Sequence, residues 1–107
     1  MITARFQRSK GRLTGFCVSG HAGYADYGSD IVCASVTSAV QLTANGITQC
    51  LGIKAQVSAD PDGGVKLALP QDCRRGDAQA FLKALYLHLT VLSQDYQGTI
   101  KIIDAEV

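Results

Sequence analysis

Hydrophobic and polar residues alternate twice near the beginning of the chain, over residues 1–8 and over residues 13–19. This period of two is typical of β-strands, and the short polar stretch between them predicts a hairpin. A second hairpin is predicted over residues 53–58 and 65–69. Between these two strands lie residues 60–64, whose proline, aspartates and glycines have strong turn chemistry.

Two longer segments have the helical period. The first begins after Ser29 and Asp30, both good N-cap residues, and runs to about Leu51, where Gly52 gives a stop signal. One side of this helix is expected to carry Val32, Val36, Ala39, Val40, Thr43, Ile47 and Cys50. A second helix is predicted from about residue 77 to 97, and the β-branched residues 99–103 predict a last strand. The order of elements is therefore ββαββαβ.

These elements predict an α/β (α+β) fold, a two-layer sandwich of a five-stranded mixed sheet and two long helices. A chain of 107 residues suffices for one core, so residues 1–107 are interpreted as a single domain. Helix two carries an apolar face that covers the sheet and, on a different side, a second apolar stripe formed by Ala80, Ala84, Leu87 and Val91. A stripe that the sheet does not cover favours a homodimer over scattered surface residues.

Composition and charge narrow the choice of partners. The chain is 47% hydrophobic and 18% charged, and its formal net charge of +1 gives no overall field to attract nucleic acid. Direct nucleic-acid binding is therefore not expected. Arg5, Arg8, Lys10 and Arg12 all precede the first acidic residue, and they belong either to a solvated hairpin or to a basic surface for RNA or an acidic partner.

The hydropathy pattern also predicts a location. No charged segment leads into a long apolar run at the start of the chain, and no stretch approaches the ~20 apolar residues of a membrane span. We therefore expect a cytoplasmic protein without membrane contact.

Four cysteines, at positions 17, 33, 50 and 73, form no C-x-x-C pair. A zinc ribbon is therefore not expected, and neither is a disulfide framework in a protein that is not secreted. A metal site made of Cys17, His21 and Cys33 would lack a fourth ligand. We expect no metal and no other cofactor, and Cys17, Cys50 and Cys73 are interpreted as structural or incidental.

Candidate chemistry is concentrated between Gly20 and Cys33. His21 follows the second strand on a glycine-broken loop, and Cys33 lies in the first turn of helix one if Asp30 caps it. A helix N-terminus and a nearby imidazole both lower the pKa of a cysteine, which favours the nucleophilic thiolate. Backbone N–H groups of the same turn are expected to hold an oxyanion. From the residues alone, Cys33 is either a nucleophile or a small buried hydrophobe.

Asp30 has two possible roles. It caps helix one, or it turns toward His21 and fixes the tautomer of the imidazole, and one carboxylate does not do both fully.

The same stretch carries a resemblance to a known family. Gly20-His21-Ala22, then Gly28, then residues 30–35 resemble the signature of the ribosomal-processing cysteine proteases, which are small bacterial proteins. The resemblance implies that His21 is the catalytic base and Cys33 the nucleophile of an endopeptidase. It also implies the substrate, the N-terminal extension of large-subunit ribosomal protein twenty-seven, which is cleaved after a pair of aromatic residues.

The resemblance further implies a flexible loop over the catalytic pair that orders when substrate binds. We assign substrate contact to Gly20, Gly23, Tyr24, Tyr27, Gly28 and Ser29. The glycines raise the entropy of the free loop, so a poor substrate fails to close it. The tyrosines stack on an aromatic substrate residue or anchor the loop.

Two other functions stay open at this point. One is a non-catalytic ribosome-assembly factor that binds through the basic first hairpin. The other is a different thiol-dependent acyl hydrolase, which would share the His/Cys pair and differ in what its pocket admits.

Overall fold

The computed structural model describes residues 1–23, 30–61 and 64–106. Along the chain, the elements are β1 (Ile2–Ser9), β2 (Arg12–Ser19), α1 (Ile31–Asn45), a π-helical turn (Gly46–Cys50), β3 (Gln56–Ala59), β4 (Val65–Ala68), α2 (Gly76–Asp95) and β5 (Ile100–Glu106). This order confirms the ββαββαβ arrangement predicted from the sequence.

The strands form one five-stranded sheet in the order β3-β4-β2-β1-β5. Neighbouring strands are antiparallel, except that β5 runs parallel to β1. The sheet is therefore mixed, as predicted, and the connection from β1 to β5 passes through every other element of the chain.

The core lies between one face of the sheet and the two helices. Alternate residues of β1 are buried on that face, and Phe6 lies opposite Phe16 of β2, which in turn lies opposite Leu67 of β4. The helices contribute their apolar stripes to the same cluster: Val32, Val36 and Val40 from α1, and Ala78, Leu82, Leu85 and Leu89 from α2. Two layers around one core confirm the predicted sandwich.

The end of the first helix differs from the prediction in two places. Leu51 donates its N–H to the carbonyl of Gly46 at 2.9 Å, which is the wider hydrogen-bonded ring of a π-helix. The wider turn moves Cys50 off the buried side, and this thiol is exposed rather than buried. Ile53 N–H then bonds the carbonyl of Ile47 at 3.1 Å, so residues 53–55 follow the helix end and β3 begins only at Gln56.

The expectation that no stretch approaches a membrane span is wrong on length and composition. The helix from Ile31 to Cys50, 20 residues long, is apolar enough to cross a membrane. In this fold it places Val32, Val36 and Ile47 in the core. The core helix of a soluble protein can be equally long and apolar, so these two properties are weak support for a membrane span.

A charged cluster joins β1, β5 and α2. Arg8 Nε donates to Asp104 Oδ1 at 2.7 Å, and the hydroxyl of Tyr86 donates to Asp104 Oδ2 at 2.8 Å. The hydrogen bond from Arg8 holds the pKa of Asp104 below its usual range, and the hydrogen bond to Asp104 raises the pKa of Tyr86. Arg12 is also engaged within the protein, because its guanidinium donates to the carbonyl of Cys73 at 3.0 Å. Two of the four cations of the first hairpin are thus used in tertiary contacts.

Candidate active site

His21 is placed by a sharp turn at the end of β2. Gly20 has a φ of 93°, in the left-handed region that favours glycine, and a side chain there would lie 2.5 Å from the carbonyl oxygen of Met1. The chain therefore turns away from the sheet at Gly20 only because this residue is a glycine. His21 follows at once and is exposed.

Cys33 is placed by the start of α1. Asp30 has extended backbone angles, φ −80° and ψ 104°, and its Oδ1 accepts the N–H groups of Val32 and Cys33 at 3.0 Å each. Asp30 is 6% exposed, so this cap is buried. The cap fixes the first turn of α1 and sets Cys33 at the positive end of the helix dipole.

Asp30 thus makes the capping contacts, which is one of its two predicted roles. Its other predicted role, orienting His21, stays a prediction. The capping bonds also occupy two backbone donors of the first turn, those of Val32 and Cys33. These two N–H groups are not the oxyanion donors that the sequence suggested.

A backbone donor from the other segment reaches the sulfur. Ala22 donates its N–H to Sγ of Cys33 at 3.2 Å, and both residues lie at the base of the site, Ala22 buried and Cys33 half-buried. Ala22 directly follows His21, so the same short segment that carries the imidazole also contacts the sulfur. The sulfur is therefore the point at which the segment that carries His21 meets the start of α1.

His21 and Cys33 line the same cavity. Its volume is about 380 Å³, in the usual range for small-molecule and peptide side-chain sites, and His21 and Cys33 both form part of its wall. The rest of the wall is mixed: it has apolar side chains (Ile2, Val18, Val36, Val40 and Val65) and polar surface from Ser19, Gly20 and Thr37. A thiol and an imidazole in the wall of one cavity suit nucleophilic attack on a carbonyl group.

Among the residues of the wall, only Gly20, His21 and Cys33 were assigned to the site from the sequence, and Thr37 and Pro61 are examples of those that were missed. Thr37 lies four residues after Cys33, so the helical spacing alone was a signal for it. Pro61 gave no such signal, because it comes to the cavity through the hairpin of β3 and β4.

The predicted substrate loop is only partly within the described residues. Gly23 has a φ of 70° and is exposed, and no non-neighbouring atom of the described residues lies within 4 Å of the position that a side chain would take. Tyr24, Tyr27, Gly28 and Ser29 lie outside the described residues, and their assignment stays a prediction.

The other three cysteines are separate from this site. Cys17 is in β2, Cys50 in the π-helical turn and Cys73 between β4 and α2, and all of them are free thiols. None of the three lines the cavity that contains His21. Within residues 1–23, 30–61 and 64–106, no group of three or more His, Cys, Asp or Glu side chains is arranged to hold a metal ion.

Comparison with known proteins gives these residues a context. Residues 1–101 match the family model described as cysteine protease Prp. The chain is 31% identical over 108 residues to the ribosomal processing cysteine protease Prp of Bacillus subtilis, an alignment that covers 95% of this chain and 96% of that protein.

Solved structures agree with the fold. An essential ribosomal processing protease Prp from Staphylococcus aureus, in complex with a covalently linked product peptide, superposes with a TM-score of 0.90 at 24% identity, over 97% of this chain and 99% of that one. The same protease with a substrate peptide superposes with a TM-score of 0.85 at 24% identity, over the same shares of the two chains. Both share the five-stranded mixed sheet and two helices.

Proposed function

The chain belongs to the cysteine protease Prp family and is a hydrolase of that class, and from this premise we propose that it removes the N-terminal extension of large-subunit ribosomal protein twenty-seven with a His21–Cys33 dyad. The relatives named above are ribosomal processing proteases, and two structures of the family contain a substrate or a product peptide. We further propose that residues 1–107 work as a single domain without a metal or another cofactor.

The observation that carries the proposal is the contact between Ala22 N–H and Sγ of Cys33 at 3.2 Å. It brings the segment that bears His21 against the start of α1. In the proposed reaction, His21 takes the thiol proton and Sγ attacks the scissile carbonyl carbon. The C–N bond then breaks, and His21 gives the proton to the departing amine.

The second half of the reaction releases the acyl group. His21 takes a proton from water, and the resulting hydroxide attacks the thioester carbonyl. The C–S bond breaks, and the proton returns to sulfur. Once Sγ is bonded to carbon, it carries no negative charge, so the Ala22 N–H is released from the sulfur. This N–H can then donate to the oxyanion, whereas Asp30 already occupies the N–H groups of Val32 and Cys33.

The loop residues complete the substrate side of the proposal. Gly20, Gly23, Tyr24, Tyr27, Gly28 and Ser29 contact the extension peptide, and loop closure selects substrates with an aromatic pair before the cleaved bond. The apolar part of the cavity wall supports this preference, because Val18, Val36 and Val65 suit an uncharged side chain.

The proposed assembly is a homodimer in the cytoplasm, without membrane contact. The second apolar stripe of α2 is exposed as the sequence suggested, with Leu87 64% and Val91 43% exposed, and Leu42 of α1 is 70% exposed. A groove between the two helices, lined in part by Leu42 and Ala84, continues this surface. A second copy would remove these side chains from water, and sedimentation equilibrium measures the resulting mass.

A binding factor that uses the first hairpin is a weaker candidate. Arg8 pairs with Asp104 and Arg12 with the Cys73 carbonyl, so these two cations stabilise the fold rather than present an open basic surface. Direct contact with nucleic acid is accordingly not part of the proposal.

The test is mass spectrometry of the extended ribosomal protein after incubation with the enzyme. Wild type is expected to yield one N-terminally shortened product, and Cys33→Ser to yield none while keeping its circular dichroism and melting temperature. The matched control is Cys17→Ser, which removes a thiol from the sheet and not from the cavity. This variant is expected to cleave at the wild-type rate. Cleavage by Cys33→Ser would contradict the assignment of Cys33 as the nucleophile. A substrate left intact by wild type would contradict the proposed reaction.

A further inference from the structure

The two edges of the sheet are protected very differently. In the part of the chain that the structure describes, β3 is one edge and β5 is the other. β5 carries Lys101, Asp104 and Glu106, which are the kind of charges that keep a second chain from pairing with an edge. β3 is short, but its four residues, Gln56, Val57, Ser58 and Ala59, are all uncharged and all exposed.

The free hydrogen-bonding groups of β3 can be assigned from its hairpin. Asp60 donates its N–H to the carbonyl of Gly64 at 2.7 Å, so the backbone of Asp60 faces β4. Because backbone groups alternate in direction along an antiparallel strand, Ser58 faces β4 as well. Val57 and Ala59 therefore direct their N–H and C=O groups outward, away from the sheet.

The outer edge of β3 is continuous with the candidate active site. Val18 of β2 lies opposite Val65 of β4, and Val65 lies opposite Ala59 of β3, so one apolar row crosses from the middle of the sheet to its edge. Val18 and Val65 are walls of the cavity that contains His21 and Cys33, and Pro61, two residues beyond Ala59, is another. A polypeptide that lies along β3 is thus led toward the cavity.

We propose that β3 is a docking edge for the substrate, where an extended, uncharged segment of the polypeptide pairs with Val57 and Ala59 as a sixth strand. This inference rests on the proposed peptidase function and adds how the substrate is held. Main-chain hydrogen bonds provide most of the affinity, and alternate substrate side chains pack on Val57 and Ala59 before the chain crosses the cavity. A charged segment is disfavoured, because the row it would cover is apolar.

The first test compares two substitutions at one position. Val57→Pro removes one outward N–H, and proline is tolerated where an edge strand's N–H faces solvent. Val57→Ala keeps the N–H and shortens the side chain. With a synthetic peptide covering the extension and its cleavage site, Val57→Pro is expected to raise KM about three- to tenfold over Val57→Ala, the size of one lost hydrogen bond. Equal KM values for the two variants would contradict the docking edge.

The second test needs neither catalysis nor a proline. In the Cys33→Ser variant, the backbone amides of Val57 and Ala59 are expected to exchange with deuterium quickly when the protein is alone. A saturating amount of the same peptide should slow them about tenfold or more, while the Ser58 amide, already bonded to β4, changes little. Unchanged exchange at Val57 and Ala59 with the peptide bound would overturn the inference.

The two proposals fail separately in these experiments. If wild type cleaves the peptide and the two amides stay unprotected, the proposed function stands and the docking edge falls. If the peptide protects the amides and wild type leaves it intact, the docking edge stands and the proposed reaction falls.

Discussion

The starts of the two helices use the same physical device for different ends. At α1, the carboxylate of Asp30 is 6% exposed and accepts the N–H groups of Val32 and Cys33. At α2, Asp77 accepts the N–H of Ala78 at 2.8 Å but is exposed and forms an ion pair with Arg75, also at 2.8 Å. Both helix starts thus have an aspartate that accepts backbone N–H groups, but only Asp30 is an N-cap. The N-cap of α2 is Arg75, whose side chain makes no capping bond among the described residues.

The difference lies in what surrounds each carboxylate. Around Asp77, a neighbouring guanidinium neutralises the charge in water, and such exposed pairs add little stability. Asp30 is buried instead, and Cys33, three residues later, lines a cavity and accepts the N–H of Ala22 at its sulfur. A helix start becomes a candidate reactive site when burial and a second chain segment are added to it.

The largest expected difference between the two starts is in the loss of the two aspartates. Asp30→Ala is expected to lower the free energy of unfolding by about 1–2 kcal/mol, because two buried donors lose their acceptor. Asp77→Ala is expected to cost clearly less, since water replaces its exposed contacts. Urea denaturation measures both.

Asp30→Asn separates capping from orientation at α1. Asparagine also caps helices well, so this variant is expected to keep both stability and cleavage rate if Asp30 acts as a cap. A variant that is stable and yet slow would assign Asp30 to the orientation of His21 instead.

A smaller effect is expected from two glycines with the same backbone conformation. Gly23 and Gly52 have φ angles of 70° and 67°, and within residues 1–23, 30–61 and 64–106 no non-neighbouring atom lies within 4 Å of either side-chain position. Replacement by alanine is expected to cost each about 1 kcal/mol, through strain alone. Gly23→Ala, two residues after His21, should also lower turnover severalfold, whereas Gly52→Ala, after the π-helical turn, should not. Equal turnover in the two variants would show that the conformation of Gly23 does not affect catalysis.

The smallest expected effect is a loss of stability at acid pH. It arises from two carboxylates, those of Asp77 and Asp104. Hydrogen bonds from Arg75 and from Arg8 hold the pKa values of Asp77 and Asp104, respectively, below their usual range. A lowered folded-state pKa contributes stability above the unfolded value of about 3.9, and this contribution is lost as pH falls through the lower folded value.

Asp104→Asn is expected to flatten the dependence of the urea midpoint on pH in that acid range. The effect is small because the pair is partly exposed and screened. Cleavage at neutral pH should not change, because Asp104 lies outside the wall of the cavity. A variant with the full wild-type acid dependence would show that this carboxylate does not contribute to it.

The local elements were predictable because each has its own pattern in sequence. Alternation gave both hairpins, Asp30 gave the start of α1, and the Gly20 to Ser35 stretch gave a family resemblance that the match over residues 1–101 confirms. The π-helical turn was not predictable from period alone, because one inserted residue in a helix leaves the apolar pattern before it intact. Cys50 was therefore assigned to the wrong side.

The parts that were missed depend on contacts between distant segments. Parallel pairing of β5 with β1 and the approach of Pro61 to the cavity arise from strand order, which no local pattern contains. The Ala22 contact to Cys33 joins residues eleven positions apart and fixes which backbone donor meets the sulfur. Helix geometry alone does not show that Asp30 occupies two of the first-turn donors.

The most direct test of the central claim is the alkylation rate of each cysteine by iodoacetamide at neutral pH, measured by peptide mass spectrometry. Cys33 is half-buried and Cys50 is exposed, so access alone predicts that Cys50 reacts faster. The account predicts the opposite order in wild type, and loss of the advantage of Cys33 in His21→Gln. A Cys33 that reacts more slowly than Cys50 in wild type, or at the same rate with and without His21, would contradict it.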